Sequence, residues 1–161
     1  MRDAERLRYL LLAAQREGNR RLLGELRPLG LTPSQAEVLR VLGDHAPLTL
    51  TGLGELLVCE SGTNPSRLVD RLVSAGLVDR SPGAVDRREV HLVLTDRGSG
   101  LERDVAAIEE RMYSDLDAAG ADKGILRLLE SLVEGMPSGI AYANRVAARQ
   151  PRPSAVSTTH P

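Results

Sequence analysis

Side chains that can bond to nucleic acid are concentrated in the middle of the chain. Thr63, Asn64, Ser66, Arg67 and Arg71 place hydroxyl, amide and guanidinium groups opposite a set of apolar residues that recur at helical spacing. Groups of these kinds bond to base edges in the major groove and to backbone phosphates. The residue types therefore predict a helix that turns its polar face toward DNA.

Residues at both ends of this stretch predict where the helix begins and ends. The pattern predicts a helix from Thr63 to Ala75, because Asn64 caps free N–H groups and Pro65 is tolerated at the first helical position. Gly76 supplies the C-terminal cap. The apolar spacing over 51–58 predicts a second, shorter helix that holds the first one, with a short turn between them.

A second charged group follows shortly after. Arg87 and Arg88 come after the turn-forming residues 81–83, and both flanking segments, 77–80 and 89–94, have the composition of strands. The second of these segments alternates between apolar and polar residues with a period of two, which is typical of a half-buried strand. A helix, a turn, a second helix and a hairpin with an arginine tip together predict a winged helix-turn-helix.

With these elements the chain resembles the MarR-type (multiple antibiotic resistance regulator) transcription factors. The resemblance extends over about residues 5–135 and rests on five stretches, namely 31–35, 66–72, 75–78, Asp86-x-Arg88 and Leu94-Thr95-x-x-Gly98. It implies an obligate homodimer on a pseudo-palindromic double-stranded DNA operator, often a repressor that a small ligand or an oxidant releases. It also implies that Asp86 accepts a hydrogen bond that orients Arg88.

The charge of the chain favours a different function. The net charge is −1 and the isoelectric point is about 6.3, whereas a strongly basic domain is the usual mark of a DNA-binding protein. Between residues 61 and 97, six arginines face five acids, which leaves a net charge of only +1. The alternative is therefore a winged-helix module that binds a protein and not DNA, with the arginine tip as a solvated turn.

The expected fold is mainly α with a small β-hairpin wing, a winged helix-turn-helix flanked by N- and C-terminal dimerisation helices. We expect a single MarR-like subunit over 1–149, in which about 31–97 form the DNA-binding region, and a polar tail over 150–161. Residues 1–30 and 98–149 are then the dimerisation helices. A chain of 161 residues fits one such subunit.

The C-terminal part carries the signal for a homodimer. The helix that begins at Asp122 is apolar nearly all round, and a single subunit of this size has no spare layer to cover it. We therefore expect a partner subunit to cover it. Pro137 should break this helix, and Ile140, Tyr142 and Val146 predict a short terminal helix beyond the usual ending of the family.

The resemblance also suggests where an effector binds. The family places small ligands in the crevice between the dimer helices and the winged helix, which here implies Leu11, Gln15, His45 and Tyr113. An anionic aromatic or lipophilic compound is the expected kind of ligand. Packing in the interface is an equally good explanation for Tyr113.

Three other residues allow two interpretations each. Cys59 is a candidate redox sensor, but a lone cysteine is more often a small buried apolar residue, and the oxidant-sensing branch of the family places its cysteine in the N-terminal helix. His45 and His91 are candidate pH or metal groups. No second ligand lies at metal spacing from them, so we expect solvated histidines and no metal site.

The sequence offers no support for enzyme, cofactor or membrane functions. It contains no Gly-x-Ser-x-Gly elbow, no phosphate-cradling Gly-x-x-x-x-Gly-Lys and no Cys/His cluster. The apolar run over 9–14 is far too short to span a membrane. One cysteine cannot form a disulfide within the chain, so we expect a cytoplasmic protein.

Overall fold

The computed structural model describes residues 1–58, 65–83 and 89–149. Within these ranges the chain forms seven α-helices and three β-strands, which confirms the mainly helical fold with a small hairpin. In chain order they are α1 (Asp3–Leu26), α2 (Pro33–His45), β1 (Leu48–Thr49), α3 (Leu50–Gly54), α4 (Pro65–Ser74), β2 (Val78–Pro82), β3 (Val90–Leu94), α5 (Asp96–Ala118), α6 (Lys123–Val133) and α7 (Pro137–Arg149).

Helix α2 lies at the centre of the core. It begins with a capping box, in which the Gln35 N–H donates to the Thr32 hydroxyl (3.3 Å) and the Thr32 N–H donates to the Gln35 side-chain oxygen (2.9 Å). The side chains of Leu39 on this helix, Leu72 on α4 and Leu92 on β3 are each at most 2% exposed. The core thus joins α2, α4 and the sheet.

The sheet has three antiparallel strands in the order β1-β3-β2. Strand β2 extends to Pro82, so Ser81 and Pro82, expected in the turn, lie in the strand opposite His91 and Val90. The sheet tolerates Pro82 because β2 is an edge strand and this position is its last. Strand β1 is an addition to the expected hairpin, since two residues are too few to show an alternating pattern.

The two helices of the helix-turn-helix differ from expectation in length. Helix α3 ends at Gly54, well before the expected end at residue 58, and it contains two glycines, which are poor helix formers. Its expected inward residues are buried all the same. Helix α4 ends as predicted, because Gly76 adopts a left-handed conformation (φ 65°) and the Leu77 N–H donates to the Leu72 carbonyl at 2.9 Å.

Thr95 joins α4, the hairpin and α5 at one point. Its hydroxyl accepts from the Gly98 N–H (2.9 Å) and donates to the Gly76 carbonyl (2.8 Å), while its own N–H donates to the Leu77 carbonyl (3.1 Å). A Cβ atom on Gly98 would lie 1.9 Å from the Leu77 oxygen. The Leu94-Thr95-x-x-Gly98 pattern is therefore explained by a helix cap and a backbone contact that only glycine permits.

The C-terminal helices are largely uncovered. Helix α6 has no buried residue, and its five large apolar side chains are between 36% and 50% exposed. Asp122 caps its first turn as predicted, through bonds from the Gly124 and Ile125 N–H groups. Pro137 begins α7 after the break, also as predicted, but α7 is thirteen residues long and not a short helix.

We expect Gly98→Ala to lower the free energy of unfolding by about 1–3 kcal/mol, because its methyl group would overlap the Leu77 carbonyl and push α5 away from the sheet. Chemical denaturation monitored by circular dichroism measures this change.

The matched control is Gly100→Ala, further along the same helix, where a Cβ atom would meet nothing closer than the Arg103 guanidinium at 4.0 Å. This variant should be neutral or more stable by about 0.4–1 kcal/mol. Equal destabilisation by both variants would contradict the backbone contact as the reason for Gly98.

Candidate DNA-binding interface

Helix α4 separates an apolar face from a polar one. Leu68, Val69 and Leu72 are at most 5% exposed and face the core. Arg67 and Arg71 lie exposed on the other side of the helix. Ser66 is half-buried in the first turn of the same helix. The packing of the apolar face therefore fixes which way the two arginines point.

An ion pair neutralises the acidic group on this helix. The Asp70 carboxylate binds the guanidinium of Arg80 on β2. Both side chains are about half exposed, so the contribution of the pair to stability is small. Its effect on the surface is larger, because the charges of Arg67 and Arg71 remain uncompensated by Asp70. Sequence reasoning missed this pair, since it joins a helix to a strand without any periodic signal.

The C-terminal end of α4 is held by donors from α5. The Arg97 guanidinium donates to the Ala75 carbonyl (3.0 Å), next to the bond from Thr95 to Gly76. A cation at this position also interacts favourably with the negative end of the helix dipole. Helix α4 is thus fixed at its end as well as along its buried face.

Strand β2 of the hairpin packs beside this helix. Strands β2 and β3 pair from Val78 and Leu94 out to Pro82 and Val90, and the Gly83 N–H donates to the Glu89 carbonyl at 2.8 Å. The expected wing residues Asp86, Arg87 and Arg88 lie in the segment between these last two residues, outside the described residues. Thr63, Asn64 and Cys59, which precede α4 in the chain, also lie outside the described residues.

His45 and His91 differ from the solvated state that the sequence suggested. His91 is half-buried on β3, and its Nε2 atom lies 3.3 Å from the carboxylate of Glu89, two residues earlier in the chain. His45 is the last residue of α2. It is also half-buried, and its Nε2 atom is covered without a hydrogen-bond partner in the part of the chain that the structure describes.

A cluster of charges joins the DNA-binding region to the long helix α5. Arg40 of α2 binds Glu102 and Glu109 of α5, the latter at 3.0 Å, and lies 3.9 Å from Asp44. Burial lowers the pKa of Arg40, but its bonds to the surrounding carboxylates outweigh this effect and raise the pKa above its usual value. Arg40 therefore stays charged and holds α2 against α5.

Three of the four expected effector residues line two different cavities among the described residues. Leu11 and Gln15 line a cavity of about 430 Å³ between α1 and Leu132 of α6. Tyr113 lines a different cavity, of about 350 Å³, beside Arg145. The effector site therefore remains a prediction.

The Tyr113 hydroxyl forms a hydrogen bond within α5. It donates to the Glu109 carboxylate at 3.1 Å, and burial, together with the negative charge of Glu109, raises the pKa of Tyr113. The side chain therefore stays neutral well above physiological pH and acts as a hydrogen-bond donor.

Two searches of the described ranges found no further kind of site. No helix among the described residues is long and apolar enough to cross a membrane. No group of three or more His, Cys, Asp or Glu side chains in 1–58, 65–83 and 89–149 is placed to hold a metal ion.

Comparison with known proteins relates the chain to one family. The MarR family model matches residues 29–89. The organic hydroperoxide resistance transcriptional regulator of Bacillus subtilis is 30% identical over 135 residues, which cover 83% of this chain and 91% of that protein. The HTH-type transcriptional regulator MgrA of Staphylococcus aureus is 30% identical over 111 residues, covering 68% of this chain and 75% of MgrA.

Solved structures include relatives bound to DNA. A single-site mutant of E. coli MarR in complex with operator DNA is similar to this chain with a TM-score of 0.63 and 27% identity, over 80% of this chain and 91% of that one. Reduced AbfR bound to DNA gives a TM-score of 0.60 and 25% identity, over 81% and 93% of the two chains.

The family model covers the helix-turn-helix and the first strand of the hairpin, and the exposed arginines and the buried face of α4 lie within this range. The similarity to the Bacillus subtilis regulator extends beyond them into the flanking helices. The chain belongs to the MarR family of winged-helix proteins and is a DNA-binding transcriptional regulator.

Proposed function

We propose that the protein is a homodimeric repressor that binds a pseudo-palindromic operator in the cytoplasm, with a regulatory and not a catalytic role. The observation that carries this proposal is the exposed basic face of α4, where Arg67 and Arg71 stand free of Asp70 because Arg80 binds that carboxylate. Basic side chains on the outer face of a recognition helix fit the major groove. The near-neutral net charge then favours docking at specific sites over general coating of DNA.

The proposal divides the contacts into two kinds. Asn64, Ser66 and Arg67 face base edges in the major groove, where a good bidentate contact discriminates between bases. Arg88 enters the minor groove from the wing, and Asp86 holds it in place. Thr63, Arg71 and Arg87 add further contacts to the DNA. The described ends of α4 and of the hairpin support this division, since they lie next to the two segments concerned.

A second subunit covers the terminal helices in this proposal. Leu10 of α1 is 64% exposed and Leu126 of α6 is 50% exposed. The two helices approach each other at Leu132, which lines the same cavity as Leu11 and Gln15. Exposed apolar side chains grouped in this way mark an interaction site. Residues 1–30 and 98–149 then form a two-fold interface, which pairs the recognition helices about one DNA turn apart.

An anionic aromatic or lipophilic ligand releases the repressor in this proposal. Leu11 and Gln15 lie on α1, His45 ends α2 and Tyr113 lies on α5. The cavity beside Tyr113 supports a lipophilic ligand with an acidic group, because apolar side chains line it together with Arg145 and Arg149, whose charges Glu37 and Asp44 share. Such a ligand must bind the DNA-free conformation more tightly than the DNA-bound one.

The dimer is tested by Leu126→Glu, which places a charge in the proposed interface. We expect light scattering to give twice the subunit mass of 17.4 kDa for the parent protein and the single mass for the variant. Leu50→Glu is the matched control, since Leu50 is 38% exposed on α3 and lies outside the interface. A parent protein that is monomeric at micromolar concentration would refute the proposal.

The two kinds of DNA contact are separated by Arg67→Ala and Arg88→Ala. Arg67→Ala should relax the preference at one operator position by about 1–3 kcal/mol. Arg88→Ala should weaken binding to most sequences alike and reduce the salt dependence by about one unit of slope. Titrations of operator variants that differ by single bases measure both effects. If neither variant changed DNA binding, the protein-binding alternative would replace this proposal.

The ligand is tested with small aromatic carboxylic acids and fatty acids as two classes of probe. We expect one class to raise the melting temperature and to lower affinity for the promoter fragment next to the gene. A Tyr113→Phe variant should keep its fold and bind the probe more weakly if the hydroxyl contacts it. A screen in which neither quantity changes would show that the protein acts without a ligand.

A further inference from the structure

Glu37 is a carboxylate buried in the middle of α2. It is 6% exposed and is the charged residue that the described chain places in its core. Removing a carboxylate from water is costly unless its charge is compensated by a partner and by hydrogen bonds. The groups that bond to the Glu37 carboxylate therefore indicate its structural role.

Two donors from distant parts of the chain meet on one oxygen of Glu37. The Val58 N–H donates to Oε1 at 2.8 Å, and the Arg145 guanidinium donates to the same atom at 2.9 Å. Val58 is the last described residue before α4 begins at Pro65, and Arg145 lies on α7. Glu37 thus connects the C-terminal helix to the backbone that leads into the recognition helix.

Helix α7 makes further polar contacts with the same region. The Asn144 amide donates to the Glu55 carbonyl (3.1 Å), and Arg149 binds Asp44 at the end of α2 (2.8 Å). Ala141 of α7 is 8% exposed, so the helix is packed as well as bonded. Helix α7 therefore contacts both the end of α2 and the residues that follow α3.

We propose that Arg145, Glu37 and the Val58 N–H form a latch, through which α7 positions the recognition helix. Arg145 supplies the positive charge that keeps the Glu37 carboxylate in the core, and the carboxylate in turn fixes the backbone at Val58. Without Arg145 the carboxylate loses this counter-charge, and its bond from the Val58 N–H is weakened. The backbone at Val58, which leads into α4, is then held less firmly.

Both side chains act through the backbone and not by touching DNA. Glu37 is buried, and Arg145 is only 20% exposed with its guanidinium engaged by Glu37. They are positioning residues for the operator binding proposed above, on which this inference rests. Their effect should therefore differ in kind from that of the surface arginines Arg67 and Arg71.

The first test is operator affinity over a range of salt concentrations, with the promoter fragment next to the gene as the probe. Arg145→Ala should lower affinity about tenfold. The slope of log affinity against log salt should stay unchanged, because no phosphate contact is lost. The matched control is Arg149→Ala, which removes the same charge from the same helix but leaves Glu37 intact, and it should change affinity by less than about twofold.

The second test examines the latch without DNA. Hydrogen exchange of the Val58 amide should be faster in Arg145→Ala than in the parent protein or in Arg149→Ala. Glu37→Gln keeps an acceptor for the Val58 N–H and removes the charge that needs Arg145. Adding Arg145→Ala to Glu37→Gln should therefore have much less effect on affinity than adding it to the parent protein.

Several outcomes would overturn the latch. It fails if Arg145→Ala binds the operator within about twofold of the parent protein or reduces the salt slope. It also fails if Arg149→Ala loses as much affinity, because docking of α7 as a whole would then explain the effect. If Arg145→Ala does not fold, Arg145→Lys replaces it, with a smaller loss of affinity and faster Val58 exchange expected. A parent protein that binds no operator refutes the proposed function, while Val58 exchange still decides the latch.

Discussion

The arrangement of the molecule depends on one backbone contact, the close approach of the first turn of α5 to the carbonyl group of Leu77. Thr95 and Gly98 make this contact from one side, and Gly76, the left-handed residue that ends α4, lies next to it on the other. The recognition helix, both strands of the hairpin and the long helix therefore meet within a few residues. Because backbone atoms make the contact, exchange of one apolar side chain for another leaves it in place.

The elements that sequence predicted well are those with local chemical causes. The glycine cap at position 76 and the break at Pro137 act within three or four residues, so they can be recognised in the sequence itself. The polar face of α4 was predictable for the same reason, since helical spacing alone assigns Arg67 and Arg71 to the side opposite the core.

The interactions between distant parts of the chain were not predictable in this way. Nothing in the spacing of Glu37 and Arg145, which are 108 residues apart, indicates that they form a pair. The cavity that Tyr113 lines likewise depends on how α7 packs against α2. The predicted length of α3 was wrong, because the apolar spacing continues past Gly54 whereas the helical backbone ends there. The pattern of side chains thus predicted which face of a helix is buried, but it did not predict which distant residues are in contact.

The exposed apolar side of α6 ties the folding of the subunit to its abundance. A helix that buries no residue within its own chain contributes little to the stability of an isolated subunit and much more once its apolar side is covered. If a second copy provides that cover, the law of mass action makes thermal stability rise with protein concentration. In a cell that makes only a few copies, the operator site itself would then favour association, since two subunits held on adjacent half-sites experience a high effective concentration.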